Sequence, residues 1–354
     1  MPHATADEIQ GTSKLPTQPS FVVLSEEEKA AGKWSRANMQ RAMELLHRDG
    51  LLACSNLVDP SHVRQLRESM LATAAETKAK RTSKISQFNH GVPTNFLMSP
   101  PVLELPFEDV FANPFIVQIV EAYLGPSPML ALLTGNCAIA NTKDRQPVHK
   151  DAPWLHPNAP YMLNTNLTLC DFTPENGSTE FWLGSHTCTT GADQQWPSPS
   201  AKTPICDVNQ DAIDRRMKER PGAQVNVPEG TVLFRDMRTW HAGMPNYTNE
   251  DRIMTAVEYS SSWFPPPERK QEAPESARPL LTALTSTHLT FIPDSVWLVK
   301  CQNWDFDDPT GIRLPDVPGH RASGMQSPDG EEWVSLNVVE EGEKVVTGKA
   351  AKYN

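Results

Sequence analysis

His149 and Asp151 stand two residues apart in the stretch Gln146-Pro147-Val148-His149-Lys150-Asp151-Ala152-Pro153-Trp154. In a β-strand, side chains at i and i+2 leave from the same face, so this spacing aims an imidazole and a carboxylate into one space. A lone pair of this kind arises often by chance. It gains weight from Gly230-Thr231-Val232-Leu233-Phe234-Arg235-Asp236-Met237-Arg238-Thr239-Trp240-His241, which brings a second histidine to a strand edge. Two imidazoles and one carboxylate on one side of a metal leave the opposite positions open, as in non-haem Fe(II) oxygenases. His149, Asp151 and His241 are therefore the predicted metal ligands and catalytic centre, with room for O2 and a bidentate 2-oxo acid. Arg252 opens the next strand after a loop from Pro245 to Asp251. In a hairpin it would return beside the His241 strand, where a guanidinium can hold the far carboxylate of such an acid by two parallel hydrogen bonds.

The elements that must position these groups follow from local signals. Ser35 is a predicted cap for a helix carrying Met39, Ala42, Leu45 and Leu46, which ends at Asp49-Gly50. Leu51 to Cys54 reads as a short buried strand. Asp59-Pro60 starts a second helix with Val63, Leu66, Met70 and Ala74 on one stripe, and Asn113-Pro114 starts a third that stops at Gly125. From Met129 the pattern changes to short strands bounded by Gly, Pro, Asn or Asp: 129–140, 161–172, 178–183, 223–227, 231–234, 240–244 and 252–260. Many short strands without helices between them predict a sandwich or jelly roll. The polar insert from Thr187 to Pro221, with a helix-like piece at 211–219, is placed over the mouth of the barrel. The resulting division is a loose arm over 1–34, a β domain with its N-terminal helices over 35–264, and a Pro-rich extension over 265–354. That extension would pack on the core or on a partner subunit, which leaves room for a homodimer.

Bulk composition excludes several classes. The chain has 354 residues and a net charge of -11, with no basic cluster to serve a nucleic-acid surface. Its 32 prolines argue for loops and short strands over long helices. Its six cysteines contain no C-x-x-C pair and read as reduced, mostly buried thiols. No apolar run approaches the roughly 20 residues of a membrane span. The start of the chain lacks an apolar signal core. A cytoplasmic protein is the expectation.

The motifs form a series: Gln146-x-x-His149-x-Asp151-x-Pro153-Trp154, Glu175-Asn176-Gly177-Ser178-Thr179, Gly184-Ser185-His186, Gly230 to Phe234, Thr239-Trp240-His241-x-Gly243-x-Pro245-Asn246, then Arg252. In order and spacing, the series resembles the phytanoyl-CoA dioxygenase family over roughly residues 36–262. The resemblance implies a mainly β fold with flanking helices, built on a double-stranded β-helix (a cupin-like jelly roll). It implies Fe(II), 2-oxoglutarate as cosubstrate and O2, with His149, Asp151 and His241 on iron and Arg252 on the far carboxylate. In similar fungal-type members, residues at the positions of Gln146 and Thr179 also contact the cosubstrate. Thr239 is a further candidate, two before His241 and so on the same face if the strand runs through both. Leu183 departs from the pattern, since the family usually has Pro before Gly-Ser-His, and Trp182 is bulkier than the usual aliphatic residue. Both bear on the substrate wall.

The implied function is oxidation of an unactivated C–H of a small metabolite, of the kind met in fungal-type secondary metabolism. Phe88, Asn89, His90, Asn136, Asn164 and Trp182 are predicted pocket residues, together with Asn141 and Asn166, and they favour a small polar or amphipathic substrate. Two other readings use the same fold: an iron oxidase not coupled to 2-oxoglutarate in the usual way, and a jelly-roll binding protein without chemistry.

Overall fold

The computed structural model describes residues 15–80, 94–152, 158–196, 198, 204–264 and 271–302. Phe88, Asn89 and His90 lie outside the described residues. The first strand, β1 (Phe21–Val23), precedes α1 (Glu26–Ala31), where Ser25 and Glu28 form a reciprocal capping box. Ser35 caps α2 (Arg36–Asp49), which buries Ala42, Leu45 and Leu46 and ends where Gly50 takes a φ of 67°. Next come β2 (Leu51–Ser55), α3 (Pro60–Lys80), β3 (Asn95–Met98) and α4 (Glu108–Phe111). The Asn113 side chain accepts from the Phe115 and Ile116 amides to open α5 (Pro114–Leu124). Then follow β4 (Met129–Ala138), β5 (Met162–Thr168), β6 (Glu180–Phe181), α6 (Gln210–Glu219), β7 (Ala223–Gln224), β8 (Val232–Asp236), β9 (His241–Ala242) and β10 (Arg252–Ser260). The last described elements are β11 (Glu272–Pro274), α7 (Arg278–Leu281), β12 (Ser286–Thr287), β13 (Thr290–Ile292) and α8 (Asp294–Gln302).

The strands build two facing sheets of a double-stranded β-helix. The larger has the order β1-β2-β8-β5-β10-β4-β12, with β3 also on β4, and the smaller the order β7-β6-β9. Alternation along each strand of the larger sheet sorts its two faces. Leu52 and Cys54 of β2, Val232 and Phe234 of β8, Leu163 and Leu167 of β5, and Ile253, Val257 and Tyr259 of β10 join Leu45, Leu66, Met70, Ile119 and Val120 of the helices in the main core. The opposite face sends Leu51, Ala53, Leu233 and Met254 against Phe172, Phe181, Leu183 and Val225, and so fills one part of the space between the sheets. Farther along that same face the residues are polar. Arg235, Asn164 and Glu258 stand in register across β8, β5 and β10 and are all buried.

Two expectations change. The arm predicted over 1–34 contains β1 and α1, and β1 pairs parallel with β2 as an edge of the larger sheet. The hairpin expected between the His241 and Arg252 strands is not formed: β9 pairs with β6, while β10 lies between β4 and β5. Of the extension, residues 271–302 pack on the core. The Gln271 side chain donates to the Leu133 carbonyl and accepts from the Leu133 amide, both at 2.7 Å, and Ala273, Ala277, Leu281 and Leu289 enter the main cluster. No helix among the described residues is long and apolar enough to cross a membrane.

Candidate metal centre

The smaller sheet is extended by one residue that belongs to no regular strand. His149 makes bridges to His241 on one side and to Asp207 on the other. The His149 amide donates to the His241 carbonyl at 2.9 Å, and the His241 amide returns the bond at 2.8 Å. Residues in such a reciprocal pair face each other directly and send their side chains to the same side. The two imidazole centroids therefore lie 4.2 Å apart. The predicted strand through His149 and Asp151 is in fact this single bridge followed by a bend, yet Asp151 still turns toward both rings. His149 Nε2 lies 3.8 Å from Asp151 Oδ1 and His241 Nε2 lies 3.6 Å from Asp151 Oδ2. One ligand atom from each of His149, Asp151 and His241 falls within 4.8 Å of the others.

Tautomers complete the donor set. His149 Nδ1 bonds the Pro147 carbonyl at 2.8 Å, and His241 Nδ1 bonds the Thr239 carbonyl at 3.1 Å. A carbonyl only accepts, so Nδ1 carries a hydrogen in each ring, which leaves Nε2 as the atom that can ligate a metal. Burial, with a smaller contribution from His241, pulls His149 down to about 3, so it is a neutral imidazole at physiological pH. Two imidazole nitrogens and a carboxylate in this compass suit a first-row divalent metal such as iron.

Arg252 is 2% exposed. Its Nη2 donates to the Gly177 carbonyl at 3.0 Å, and its guanidinium carbon sits 4.4 Å from the centre of the Phe172 ring. Its Nε and Nη1 have no hydrogen-bond partner among the described residues, and burial lowers its pKa to about 10. A buried guanidinium with two idle donors, and no carboxylate against it among the described residues, is costly unless an anion arrives. That is the environment a dianionic cosubstrate would satisfy.

The sequence profile of the phytanoyl-CoA dioxygenase family matches residues 46–254, more than half of the chain. The chain belongs to the phytanoyl-CoA dioxygenase family. Among curated relatives of this family member, the iron/alpha-ketoglutarate-dependent dioxygenase penM of Penicillium thymicola is 26% identical over 63% of this chain and 70% of its own length. The dioxygenase andF of Emericella variicolor is 22% identical over 78% of this chain and 94% of its own. Among solved structures, the non-heme alpha ketoglutarate dependent epimerase SnoN from nogalamycin biosynthesis matches 64% of this chain and 82% of its own at 20% identity, with a TM-score of 0.46.

The remaining predicted site residues divide. In this phytanoyl-CoA dioxygenase family member, the Gln146 side chain accepts from the Gly243 amide at 2.7 Å and donates to Asn95 at 3.3 Å. It thus braces the segment that carries His241. A Cβ at Gly243 would lie 2.5 Å from Asn95 Nδ2 and 2.6 Å from Gln146 Oε1, so both side-chain ends would have to move. Thr179 precedes β6 and by alternation shares a face with Phe181, whose ring stacks 6.0 Å from His241. Thr239 does not reach the site. Residues 237–239 form a turn, so strand alternation fails, and its hydroxyl donates to the Gly50 carbonyl at 3.0 Å. Trp182 is also corrected from pocket wall to packing. It lies with Val148, Val208 and Trp240 in a separate apolar cluster and donates to Glu180 at 2.8 Å. Asn136, Asn164 and Asn166 lie on the inward face of the larger sheet, and Asn164 Oδ1 has no partner.

Two inward-facing residues escape the motif reading. Arg235 donates to Asp151 Oδ2 at 2.7 Å. Burial first, and then the charge of Asp151, push the Glu258 carboxyl up to about 8. The signal was a charge inside an apolar strand: Arg235 beside Asp236 in Val-Leu-Phe-Arg-Asp, and Glu258 alone in Ala-Val-Glu-Tyr.

Proposed function

We propose that this chain is an Fe(II)- and 2-oxoglutarate-dependent oxygenase that oxidises an unactivated C–H of a small metabolite, in fungal-type secondary metabolism. The observation that carries the reading is the convergence of His149, Asp151 and His241 within 4.8 Å in a chain of this family. In this reading those three residues hold the iron through two Nε2 atoms and one carboxylate oxygen. Arg252 takes the far carboxylate of 2-oxoglutarate with its two idle donors, and Thr179 faces the same space. When bound, iron with 2-oxoglutarate and O2 supplies the oxidising power that breaks a C–H bond, with succinate and CO2 as by-products.

The chain's own share is geometry and exclusion of water. The Nδ1 bonds to Pro147 and Thr239 fix the plane of each imidazole. The apolar packing of Phe172, Phe181 and Leu233 keeps water from one side of the site. Asn136 and Asn164, with Arg235 and Glu258, make the inward face polar, which fits a substrate bearing hydrogen-bonding groups. The reading includes a cytoplasmic location. It also includes a homodimer through the C-terminal extension, which light scattering on the purified chain would resolve.

The test is a substrate screen scored by succinate release, with His149→Ala as the blank. Anaerobic addition of Fe(II) and 2-oxoglutarate should give a visible charge-transfer band in the native chain and none in His149→Ala or Asp151→Ala. A variant lacking either ligand that stayed folded and kept full turnover with iron as the sole metal would remove the assignment.

A further inference from the structure

Asp151 is the metal-site residue that lies in neither a strand nor a bridge. It follows a one-residue bridge, lies in a bend, and its side chain is 31% exposed. Arg235 reaches it from the middle of the larger sheet, where β8 is paired on both sides, with β2 and with β5. The Arg235 side chain is only 6% exposed, and its Nη2 lies 2.7 Å from Asp151 Oδ2. Its Nη1 is buried without a partner among the described residues. Glu258, the other acid on this face, makes no hydrogen bond to it among the described residues. A rigid, buried cation has thus been brought across the interior to one oxygen of one carboxylate.

We infer that Arg235 is a positioning residue for the metal centre: its charged hydrogen bond to Oδ2 restricts Asp151 to single-oxygen ligation. The inference rests on His149, Asp151 and His241 holding the metal. A carboxylate with both oxygens at liberty can chelate a cation with both, and so fill a coordination position. In a site that must also accept a bidentate oxo acid and O2, that second oxygen would compete for an open place. A guanidinium drawing on Oδ2 would leave one oxygen to ligate the metal and would fix the carboxylate plane, as partners of metal ligands commonly do. An amide in its place would keep a donor but lose the cation and the fork.

The test uses Co(II) as the probe on the metal-free full chain, in R235Q, R235K and H149A, with binding followed by calorimetry and by the visible d–d spectrum. Expected in R235Q is a loss of Co(II) affinity of about 10–100-fold, with weaker visible absorption as the coordination number rises. R235K, which restores the charge, should recover part of both. A packing role alone would lower the unfolding midpoint and leave the Co(II) spectrum unmoved. R235Q with native affinity and native spectrum overturns the inference while H149A still loses binding. H149A binding Co(II) like the native chain overturns the metal-site reading, and the inference falls with it. Should R235Q fail to fold, R235K decides alone: a shifted spectrum supports the role, and an unchanged one ends it.

Discussion

Arg252 illustrates what a single buried charge can be asked to do. Its Nη2 is satisfied by Gly177, while Nε and Nη1 are not. Hydrogen bonds to charged groups contribute about 1.5–3 kcal/mol each. Arg252→Ala removes two of them, about 3–6 kcal/mol, and should raise the 2-oxoglutarate concentration needed for half-maximal succinate release by roughly a hundred- to ten-thousandfold. Arg252→Lys should restore little, because a point charge cannot make two parallel bonds to a planar carboxylate. An unchanged 2-oxoglutarate dependence in both variants would take Arg252 out of this role. Glu28 carries a different residue-scale prediction. Burial pushes its carboxyl up, but bonds from Ser25, Ser35 and Asn38 outweigh this and hold it at about 2 against an ordinary 4.5. A carboxyl depressed in the folded state adds stability above its unfolded value and loses it as the pH falls toward the folded one. The native chain should thus lose stability between pH 4.5 and 2, and Glu28→Gln should flatten that limb in acid titrations followed by circular dichroism.

At the scale of elements, the junction of α2 and β2 sets the spacing behind the metal centre. Gly50 ends the helix with a φ of 67°, and a Cβ there would lie 2.4 Å from Thr239 Oγ1 and 2.5 Å from His186 Nδ1. Its carbonyl accepts both the Thr239 hydroxyl and the Asp236 amide. The helix end is therefore clamped to the turn that delivers His241. Gly50→Ala should cost about 1–2 kcal/mol for the left-handed backbone, and overpacking adds about 1–3 kcal/mol. Urea melts would measure the sum. The clash falls on Thr239, two residues from His241, so metal affinity should weaken in the same variant. A variant as stable as the native chain would show that the turn can yield.

At the scale of the molecule, both ends of the described chain are sewn into the larger sheet. β1 adds a parallel strand at one edge, and residues 271–302 close the other. Gln271 makes two 2.7 Å side-chain bonds to Leu133 on β4. These bonds stand in for the strand pairing that β3 and β12 supply to either side of that point. Gln271→Ala leaves a buried amide and carbonyl unpaired, at a cost of about 1–3 kcal/mol for each. A clear drop in the thermal midpoint is expected, with the metal centre intact by Co(II) titration. An unchanged midpoint would mean that water replaces the clamp.

The sequence by itself determined what local chemistry controls. Helix limits at Ser35, Gly50, Asn113 and Gly125 follow from capping and left-handed turns, which involve only neighbours in the chain, and they hold in the structure. The order and spacing of the motifs identified the family, and residue types named a two-histidine, one-carboxylate donor set that folding brings together. Only the tertiary structure decided which long-range partners meet. Thr239 was drawn away by Gly50, Trp182 was absorbed into packing, and β10 took β4 and β5 in place of β9. Arg235 and Asp151, far apart in sequence, became a 2.7 Å pair. The physical reason is that a strand's sequence fixes which face is apolar but not which strand lies alongside. A side chain on the inward face acquires its role only from whatever the opposite sheet places against it.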